Sequence, residues 1–545
     1  MEQRLEIDSL FSSHMVLQRE KPIKLWGKCS GKEPVTVTFM GNTVTADIEK
    51  NTWAAVLPPQ EAARNQKLMV RSGEEGIYLS DIHVGEVWIA GGQSNMEFYL
   101  RYDADYRAYK AAESAKNSEN CGSTEIEKCE KYENNDIRFY DVPEICYKGQ
   151  EEDFDYSEMG IWRTCTNENL NYYSAVGYYF ARKLQKELQV PIGIIGCNKG
   201  GSCTQTWMSR EALKKHGRVW LDAFEEEIRG INYPAYCEAM RKDPHMNMGK
   251  PFEDKFTEET LYGIGAERQR ELMEKMAEQQ AESSLPMIHY DNRPGCYYDN
   301  MLLKIGGVST SGVIWYQGES EVFHPECYYE IFQDMIQCWR DLWKEKLPFH
   351  CVQLAPFQNW MDCYGIDFPV IRRIQENAVQ HMEKVHLVSS SDAGMRYDIH
   401  PKKKQPIGYR LALSVLKYDY GKAVQADAPR GISVKTVGSD LHIEFAGDME
   451  NLKVCGDEIR ELQLFAKGFG GQAADGAVLT EEREVSYDRK DFYIEGTTLV
   501  LRNANVGGKR ISRVSFAQKD YYEVNLYGSN GLPAMPFECE IKNAD

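Results

Sequence analysis

A change of hydrophobic pattern near Asp81 constrains the fold of this chain more than any other feature of its sequence. From Val84 onward, short apolar runs alternate with amphipathic stretches whose apolar positions recur every three or four residues. This alternation predicts an α/β domain built around a parallel sheet. The predicted strands are Glu86–Ala90, Ile137–Tyr140, Ile192–Cys197, Gly312–Tyr316, His350–Leu354 and Val385–Ser389, with helices such as Ala175–Leu188 and Tyr328–Trp343 between them.

Both ends of the chain instead show the period-two alternation of β-strands. Val35–Phe39 and Thr43–Asp47 are separated by Gly41-Asn42, which predicts a hairpin turn. After about residue 420 the alternation returns, for example in Asp440–Phe445 and Phe492–Glu495. Whether the two terminal β regions pack together stays open. We therefore predict three regions: residues 1–80 and 421–545, which resemble β-sandwiches, on either side of an α/β domain at 81–420.

Residues 209–284 interrupt the α/β pattern. They are highly charged and rich in helix formers, as in Glu267–Met276. We predict a helical insertion between two strands of the sheet. It could form a lid or wall of the functional site, or it could be a solvated insertion without a role in binding.

Charge and hydropathy argue against two classes of partner. The formal net charge is −19, a field that repels phosphate backbones and anionic membranes, so no nucleic acid and no membrane is expected as a partner. No run of about 18 apolar residues is present, as a membrane-spanning helix would need. The first residues lack the apolar core of a secretory signal, so we expect a cytoplasmic location.

The cysteines and histidines do not have the spacing of a metal site or a disulfide framework. Fifteen cysteines is an odd number, and the close pairs Cys121–Cys129 and Cys197–Cys203 lack the two-residue spacing of zinc sites. We expect reduced and mostly buried thiols, no metal and no cofactor. The sequence leaves the oligomeric state unknown.

The strongest chemical signal is Gly91-Gly-Gln-Ser-Asn-Met-Glu97, directly after the first predicted strand of the sheet. Ligands of open parallel sheets bind beyond the carboxyl ends of the strands. A serine at that point has an exposed hydroxyl and neighbouring backbone N–H groups that can hold an oxyanion. Ser94 is therefore a candidate nucleophile, although it could also simply cap a helix.

A serine nucleophile needs a base and a group that orients the base. Asp398-Ile-His400-Pro401 supplies both, because residues two apart on an extended loop project to the same side. Asp392 is an alternative orienting acid. Gly200-Gly201 and Gln317 follow two other predicted strands and could donate to the oxyanion, while Glu319 could orient neighbours or bind a sugar hydroxyl.

These blocks resemble those of the SGNH-type hydrolases, and most closely the sialate O-acetylesterase-like carbohydrate acetylesterases. The matching segments are Gly92–Glu97, Gly200–Ser202, Trp315–Ser320 and Asp398–Pro401, with Leu10–Gln18, Ile371–Gln375, Asn525–Tyr527 and Gly531–Ala534 in support.

The resemblance implies a flavodoxin-like three-layer α/β/α domain and metal-free hydrolysis of acetyl esters on sugars. It also implies Ser94 as nucleophile, His400 as base, Asp398 as its partner, and backbone at Ser94, Gly201 and the Gln317 amide around the oxyanion. Two departures are Glu321, where the family often has Asn, and the long acidic insertion.

Substrate recognition is less constrained by the sequence. Gln93, Asn95, Glu319, Trp207 and Arg372 are candidate substrate-binding residues, and Trp315, Tyr316 and Trp360 could also stack on sugar rings. Arg293, Arg372 or Arg396 could meet the carboxylate of sialic acid. The negative net charge favours neutral, acetylated xylan or mannan fragments over O-acetyl sialic acids. Two other classes stay open: a carbohydrate-binding protein with a degenerate hydrolase domain, and a lipase- or thioesterase-type acyl hydrolase.

Overall fold

The computed structural model describes residues 5–31, 33–117, 131–150, 156–242, 293–361, 363–467, 482–504 and 510–541, with residues 271 and 274. The chain divides into two compact units, one containing residues 1–349 and 402–412 and the other residues 350–401 and 413–545. These divisions differ from the predicted boundaries. Strand Glu75–Gly92, for example, runs through the boundary predicted after residue 80. The three-region division stays a prediction.

The N-terminal part of the first unit is built mainly from antiparallel strands. One sheet has the order β1 (Leu5–Ile7), β3 (Ile23–Cys29), β7 (Thr52–Leu57), β6 (Asp47–Glu49). In a second sheet, β8 (Ala63–Ser72) lies between β4 (Val35–Phe39) and the first part of β9 (Glu75–Gly92) and is antiparallel to both. β5 (Asn42–Thr45) pairs with β4, and β2 (Val16–Gln18) pairs with β9 in the parallel direction. The period-two alternation at the N-terminus therefore corresponds to β-strands in the structure.

The predicted hairpin between β4 and β5 forms, but its turn lies one residue earlier than expected. Phe39 pairs with Asn42, so the turn residues are Met40 and Gly41. Both have positive φ, 48° and 79°, the backbone conformation of a type I′ turn, which matches the twist of the two strands.

The parallel sheet predicted for the central region is also present in the first unit. β10 (Asn134–Asp141), β12 (Ile192–Asn198), β9 and β13 (Gly312–Tyr316) are neighbours in this order, and each pair is parallel. β11 (Trp162–Cys165) joins the outer side of β10 in the antiparallel direction. β12 and β13 are buried along their whole length, as expected for strands covered on both faces.

The helices of the first unit follow the predicted alternation. Helix Ala175–Leu188 is capped at its N-terminus by Ser174, whose side chain accepts the N–H of Gly177. Its C-terminal cap is Gln189, which has the left-handed conformation. Further helices are Ser94–Glu97, Ala104–Asn117, Leu303–Ile305 and Tyr328–Trp343. Helix Gln405–Tyr418 contains the boundary between the two units.

The insertion predicted at 209–284 begins as three helices. These are Arg210–His216, Arg218–Glu227 and Tyr233–Lys242. The first is capped by Ser209, which accepts the N–H of Ala212 at 3.0 Å. Apart from residues 271 and 274, the rest of the predicted insertion lies outside the described residues.

The second unit contains two strands of the α/β pattern and the C-terminal β region. β14 (Phe349–Val352) neighbours β17 (Val385–Val388), and helix Phe368–Gln380 precedes β17; β15 (Asn359–Trp360) and β16 (Cys363–Tyr364) form a small hairpin. The C-terminal strands are β18 (Arg430–Val437), β19 (Asp440–Ala446), β20 (Leu452–Val454), β21 (Leu462–Lys467), β22 (Glu482–Val485), β23 (Phe492–Glu495), β24 (Thr498–Leu501), β25 (Arg510–Phe516), β26 (Leu526–Gly528) and β27 (Phe537–Glu540).

The C-terminal strands enclose one apolar core. The sheets β18-β19-β24-β23 and β22-β21-β25-β27 are antiparallel. Alternate residues of their strands are buried together, including Leu441, Ile443, Leu464, Val514 and Phe516. The alternation that returns near the C-terminus therefore also corresponds to β-strands in the structure.

Two further properties bear on the chemistry. Thirteen cysteines lie in the described part of the chain, all of them free and eight of them buried. No helix within the described residues is long and apolar enough to cross a membrane.

Candidate active site

The carboxyl ends of three parallel strands meet at Gly92. Asn198 of β12 and Tyr316 of β13 are both in register with Gly92 at the end of β9. The N–H of Lys199 donates to the Gly92 carbonyl at 3.1 Å, and the N–H of Gln93 donates to the Tyr316 carbonyl at 3.0 Å. The loops that carry the predicted residues Ser94, Gly201 and Gln317 therefore begin side by side, as the pattern of strands predicts.

Gly92 allows this close approach of the strand ends. Its φ is +136°, and a Cβ built there would lie 2.1 Å from the Tyr316 carbonyl oxygen. A side chain at this position would meet backbone that is itself held in the sheet, so only glycine fits.

We expect Gly92→Ala to destabilise the first unit by more than about 1 kcal/mol, because alanine would combine unfavourable φ with a steric clash against backbone. Comparison of melting temperatures for the variant and the wild type measures the effect. Gly41→Ala is the matched control: Gly41 also has positive φ, but no atom lies within 4 Å of its built Cβ. If the two variants melt alike, the packing against Tyr316 does not matter.

Ser94 is the first residue of the short helix Ser94–Glu97 and is half-buried. Gly200, from the loop after β12, lies against it: a Cβ on Gly200 would be 3.5 Å from the Ser94 Cβ. The Gly200 N–H donates to Glu97 Oε2 at 2.5 Å. Gly201, the predicted oxyanion residue, is exposed with φ +74° and open space beside it.

Gln317 is fully buried, and its amide is bonded within the protein. Its Nε2 donates to Glu321 Oε1 at 2.6 Å and to the Ser202 carbonyl at 3.3 Å, and its Oε1 accepts from the Thr204 hydroxyl at 3.0 Å. For Gln317 to donate to an oxyanion, one of these N–H bonds would have to be exchanged.

Glu321, which stands where the family often has Asn, accepts hydrogen bonds from both Gln317 and Thr204. Besides Gln317, its Oε1 accepts the N–H of Thr204 at 2.6 Å and the Thr204 hydroxyl at 2.9 Å. Burial raises the pKa of the Glu321 carboxyl, while these donors lower it. Glu321 therefore connects the loop after β13 to the loop after β12.

Asn95, predicted to bind substrate, is instead part of a buried polar network. Its Nδ2 donates to Glu319 Oε1 at 2.5 Å, and Lys404 Nζ donates to its Oδ1. Lys404 is fully buried, with its Nζ 4.5 Å from the centroid of the Phe98 ring. Burial raises the pKa of Glu319, and the charge of Lys404 opposes that shift. The network fixes the residue that follows Ser94.

Gln93 and Trp207 are also interior residues. Gln93 Oε1 accepts the N–H of Gly318 at 3.2 Å, and its Nε2 donates to the Ser320 hydroxyl at 3.3 Å. Trp207 is fully buried and packs against Tyr297 with 5.1 Å between ring centroids. The sequence predicts both as substrate-binding residues; in the structure Gln93 instead forms hydrogen bonds with the loop after β13, and Trp207 belongs to the core.

The second unit brings Asp398 and His400 together. Both side chains are buried, Asp398 Oδ1 accepts the backbone N–H of His400 at 2.8 Å, and it lies 3.6 Å from His400 Nδ1. The alternative acid, Asp392, is exposed. Trp360 is half-buried, and its ring stands perpendicular to the His400 imidazole with 5.0 Å between centroids. This geometry favours Asp398 as the orienting acid.

Arg372 has a structural position that the sequence did not predict. It is buried, and its guanidinium donates to the carbonyls of Leu354, Lys519 and Asp520 at 3.1, 2.7 and 2.7 Å. These bonds join helix Phe368–Gln380 to two loops of the second unit. The expectation that Arg372 binds substrate is not supported by this position, because the contacts engage each of its nitrogen atoms.

Three residues of this region were missed by sequence reasoning. Lys404 is the last of three lysines that follow the Asp398–Pro401 block, and nothing in that run distinguishes a buried lysine from a solvated one. Glu97 is part of the first block but had no assigned role. Glu321 was noted only as a difference from the Asn that the family often has at this position. Within the described residues, no group of three or more His, Cys, Asp or Glu side chains could hold a metal ion; a metal-free reaction stays a prediction.

A serine directly after a parallel strand and an Asp–His pair on a loop are groups that one class of hydrolytic enzymes uses. The comparisons with known proteins narrow this class. Residues 279–417 match the family described as carbohydrate esterase, sialic acid-specific acetylesterase.

Two curated relatives cover most of the chain. The chain is 25% identical to the sialate O-acetylesterase of Mus musculus over 490 residues, 81% of this chain and 79% of that protein. It is 25% identical to the human sialate O-acetylesterase over 449 residues, 76% of this chain and 71% of that protein. These similarities confirm the resemblance found in the motifs, and with it the prediction of an esterase.

One solved structure has a fold similar to that of this chain. A carbohydrate acetylesterase from Xanthomonas citri aligns with a TM-score of 0.67 and 22% identity, covering 99% of this chain and 100% of that one. At this identity the match supports the fold alone, a mixed α/β chain with additional sheets.

Proposed function

We propose that this protein is a serine esterase that removes O-acetyl groups from carbohydrates, on a flavodoxin-like three-layer α/β/α domain of the SGNH type. The observation that carries the proposal is the register of three parallel strands. It places Ser94 against Gly200 and beside the loop that contains Gln317. The Asp398–His400 pair and the similarity to sialate O-acetylesterases add a base and a reaction class.

In the proposed reaction, the Ser94 hydroxyl attacks the acetyl carbonyl while His400 takes the hydroxyl proton. Backbone N–H groups of Ser94 and Gly201 stabilise the negative charge on the carbonyl oxygen. His400 then returns the proton to the departing sugar oxygen, which leaves an acetyl-serine. Water, deprotonated by His400, attacks this ester; acetate is released and the proton returns to Ser94. Asp398 orients the imidazole throughout.

For the substrate we propose neutral acetylated oligosaccharides such as xylan or mannan fragments. A net charge of −19 disfavours an anionic sugar, and Arg372, one arginine considered for a sialic acid carboxylate, is engaged by backbone carbonyls. O-acetyl sialic acids are the second candidate, because the curated relatives are sialate O-acetylesterases.

Acetate release from a panel of substrates tests both parts of the proposal. We expect the wild-type protein to release acetate from acetylated xylo- and manno-oligosaccharides, with a kcat/KM at least tenfold above that for O-acetyl sialic acids. A fatty-acyl ester serves as the control for a lipase- or thioesterase-type pocket. Faster release from sialic acids would overturn the neutral substrate and leave the esterase in place; no acetate from any sugar would overturn the function.

A further inference from the structure

The outer face of the sheet β1-β3-β7-β6 displays an aromatic ring. In β3, buried residues alternate with outward-facing ones, and Lys24 and Lys28 on this face are exposed. Trp26 lies between them on the same face, because side chains two apart along a strand point the same way. Its ring is half-buried, and Phe11 contacts it edge to face, with 4.6 Å between ring centroids. Phe11 therefore fixes the orientation of the indole.

A groove runs beside this ring. Trp26 pairs with Ala54 on β7, and Ala54 pairs with Asp47 on the edge strand β6. Ala54 is exposed, and its side chain is only a methyl group. The surface of the sheet between the indole and Asp47 is therefore not covered by a large side chain. The groove has a volume of about 700 Å³, within the roughly 300–1,000 Å³ of small-molecule pockets.

The rim of the groove is polar and mostly acidic. The N–H of Asp8 donates to the Trp26 carbonyl at 3.0 Å, which places Asp8 on the side opposite Ala54. The neighbouring row across the sheet pairs Glu6 with Lys28, Lys28 with Thr52 and Thr52 with Glu49. The charged residues that line the groove are therefore Glu6, Asp8, Lys28, Asp47 and Glu49, four carboxylates and one ammonium.

We propose that this groove is a second carbohydrate-binding site that takes neutral oligosaccharides. The indole face offers an apolar platform for the C–H face of a pyranose ring. The carboxylates around it accept hydrogen bonds from sugar hydroxyls, and bonds to a charged acceptor are the stronger kind. Their excess over Lys28 disfavours phosphorylated or sialylated ligands. The site shares no residue with the proposed hydrolase, so it goes beyond the proposed function and does not depend on it.

Titration calorimetry of the full chain with unacetylated xylohexaose tests the proposal. Without acetyl groups, the ligand gives the esterase nothing to cleave, so failure of the proposed reaction and failure of this site are separate results. We expect Trp26→Ala to weaken xylohexaose binding at least tenfold and to leave the rate of 4-nitrophenyl acetate hydrolysis unchanged. A sialylated oligosaccharide is expected to bind at least tenfold more weakly than xylohexaose to the wild type.

Two further variants distinguish loss of the binding site from misfolding of the Trp26→Ala variant. Tyr78→Ala removes an exposed aromatic ring from β9 in the neighbouring sheet of the same region and should leave binding unchanged. Ala54→Lys, at an exposed position, should block the groove while Trp26 stays in place, and should weaken binding as much as Trp26→Ala. Xylohexaose that binds Trp26→Ala and Ala54→Lys as well as the wild type would overturn the proposal. So would a wild-type protein that does not bind xylohexaose, or that binds the sialylated sugar equally well.

Discussion

Replacement of Ser94 by alanine is expected to lower kcat for acetate release by about 10³- to 10⁶-fold, because the proposed reaction has no nucleophile without that hydroxyl. The substitution removes one oxygen atom from a half-buried position in a four-residue helix. The melting temperature should therefore stay close to that of the wild type, and the affinity for an unreactive sugar should change little. A loss confined to kcat is the signature of a group that acts only in the transition state.

Covalent labelling gives the same prediction an independent readout. A serine-directed phosphonate should modify the wild type at Ser94 and should not modify Ser94→Ala. Ser202 is a useful internal control, since it lies in the neighbouring loop but is fully buried and donates to the Lys199 carbonyl at 2.7 Å. Labelling at Ser202 or at any other serine, or substantial acetate release by Ser94→Ala, would show that the nucleophile has been misassigned.

The parts of this structure that depend on local sequence were predicted well. Hydrophobic runs located the strands of the parallel sheet, and β13 has the predicted bounds, Gly312–Tyr316. The Asp398–His400 pair was also found, because its geometry follows from two residues on one short loop. The hairpin turn after β4 was placed one residue late: Met40 adopts positive φ there, a conformation that its residue type does not predict.

The roles that depend on tertiary packing could not be predicted. Trp207 and Arg372 have side chains suited to bind sugars and carboxylates, yet both are buried and engaged with the protein itself. The contact between Asn95 and Lys404 joins residues 309 positions apart, and no local pattern indicates it. Sequence motifs identified which residues gather near the strand ends; only the fold shows which of them stay available to a ligand.

The largest structural effect is expected for Lys404→Met. This substitution keeps the length of the side chain but removes the ammonium that donates to Asn95 Oδ1, while the Asn95 amide still donates to buried Glu319 at 2.5 Å. Removal of one charge from a buried charged network costs about 3–5 kcal/mol, because the remaining charge loses its compensation. We therefore expect a clear fall in the melting temperature. We also expect a lower kcat, since Asn95 follows Ser94 directly.

Lys403→Met is the matched control, because Lys403 is the preceding residue and is exposed. It should melt like the wild type and keep full activity. The double variant Lys404→Met/Glu319→Gln tests the cause: with both charges removed, it should be more stable than Lys404→Met alone, and the two single effects should not add. If Lys404→Met behaves like Lys403→Met, the buried ammonium does not stabilise the helix that contains Ser94 and Asn95. If the double variant is destabilised by the full sum of the single effects, Lys404 and Glu319 act independently, and the network does not couple the lysine to the residue beside the nucleophile.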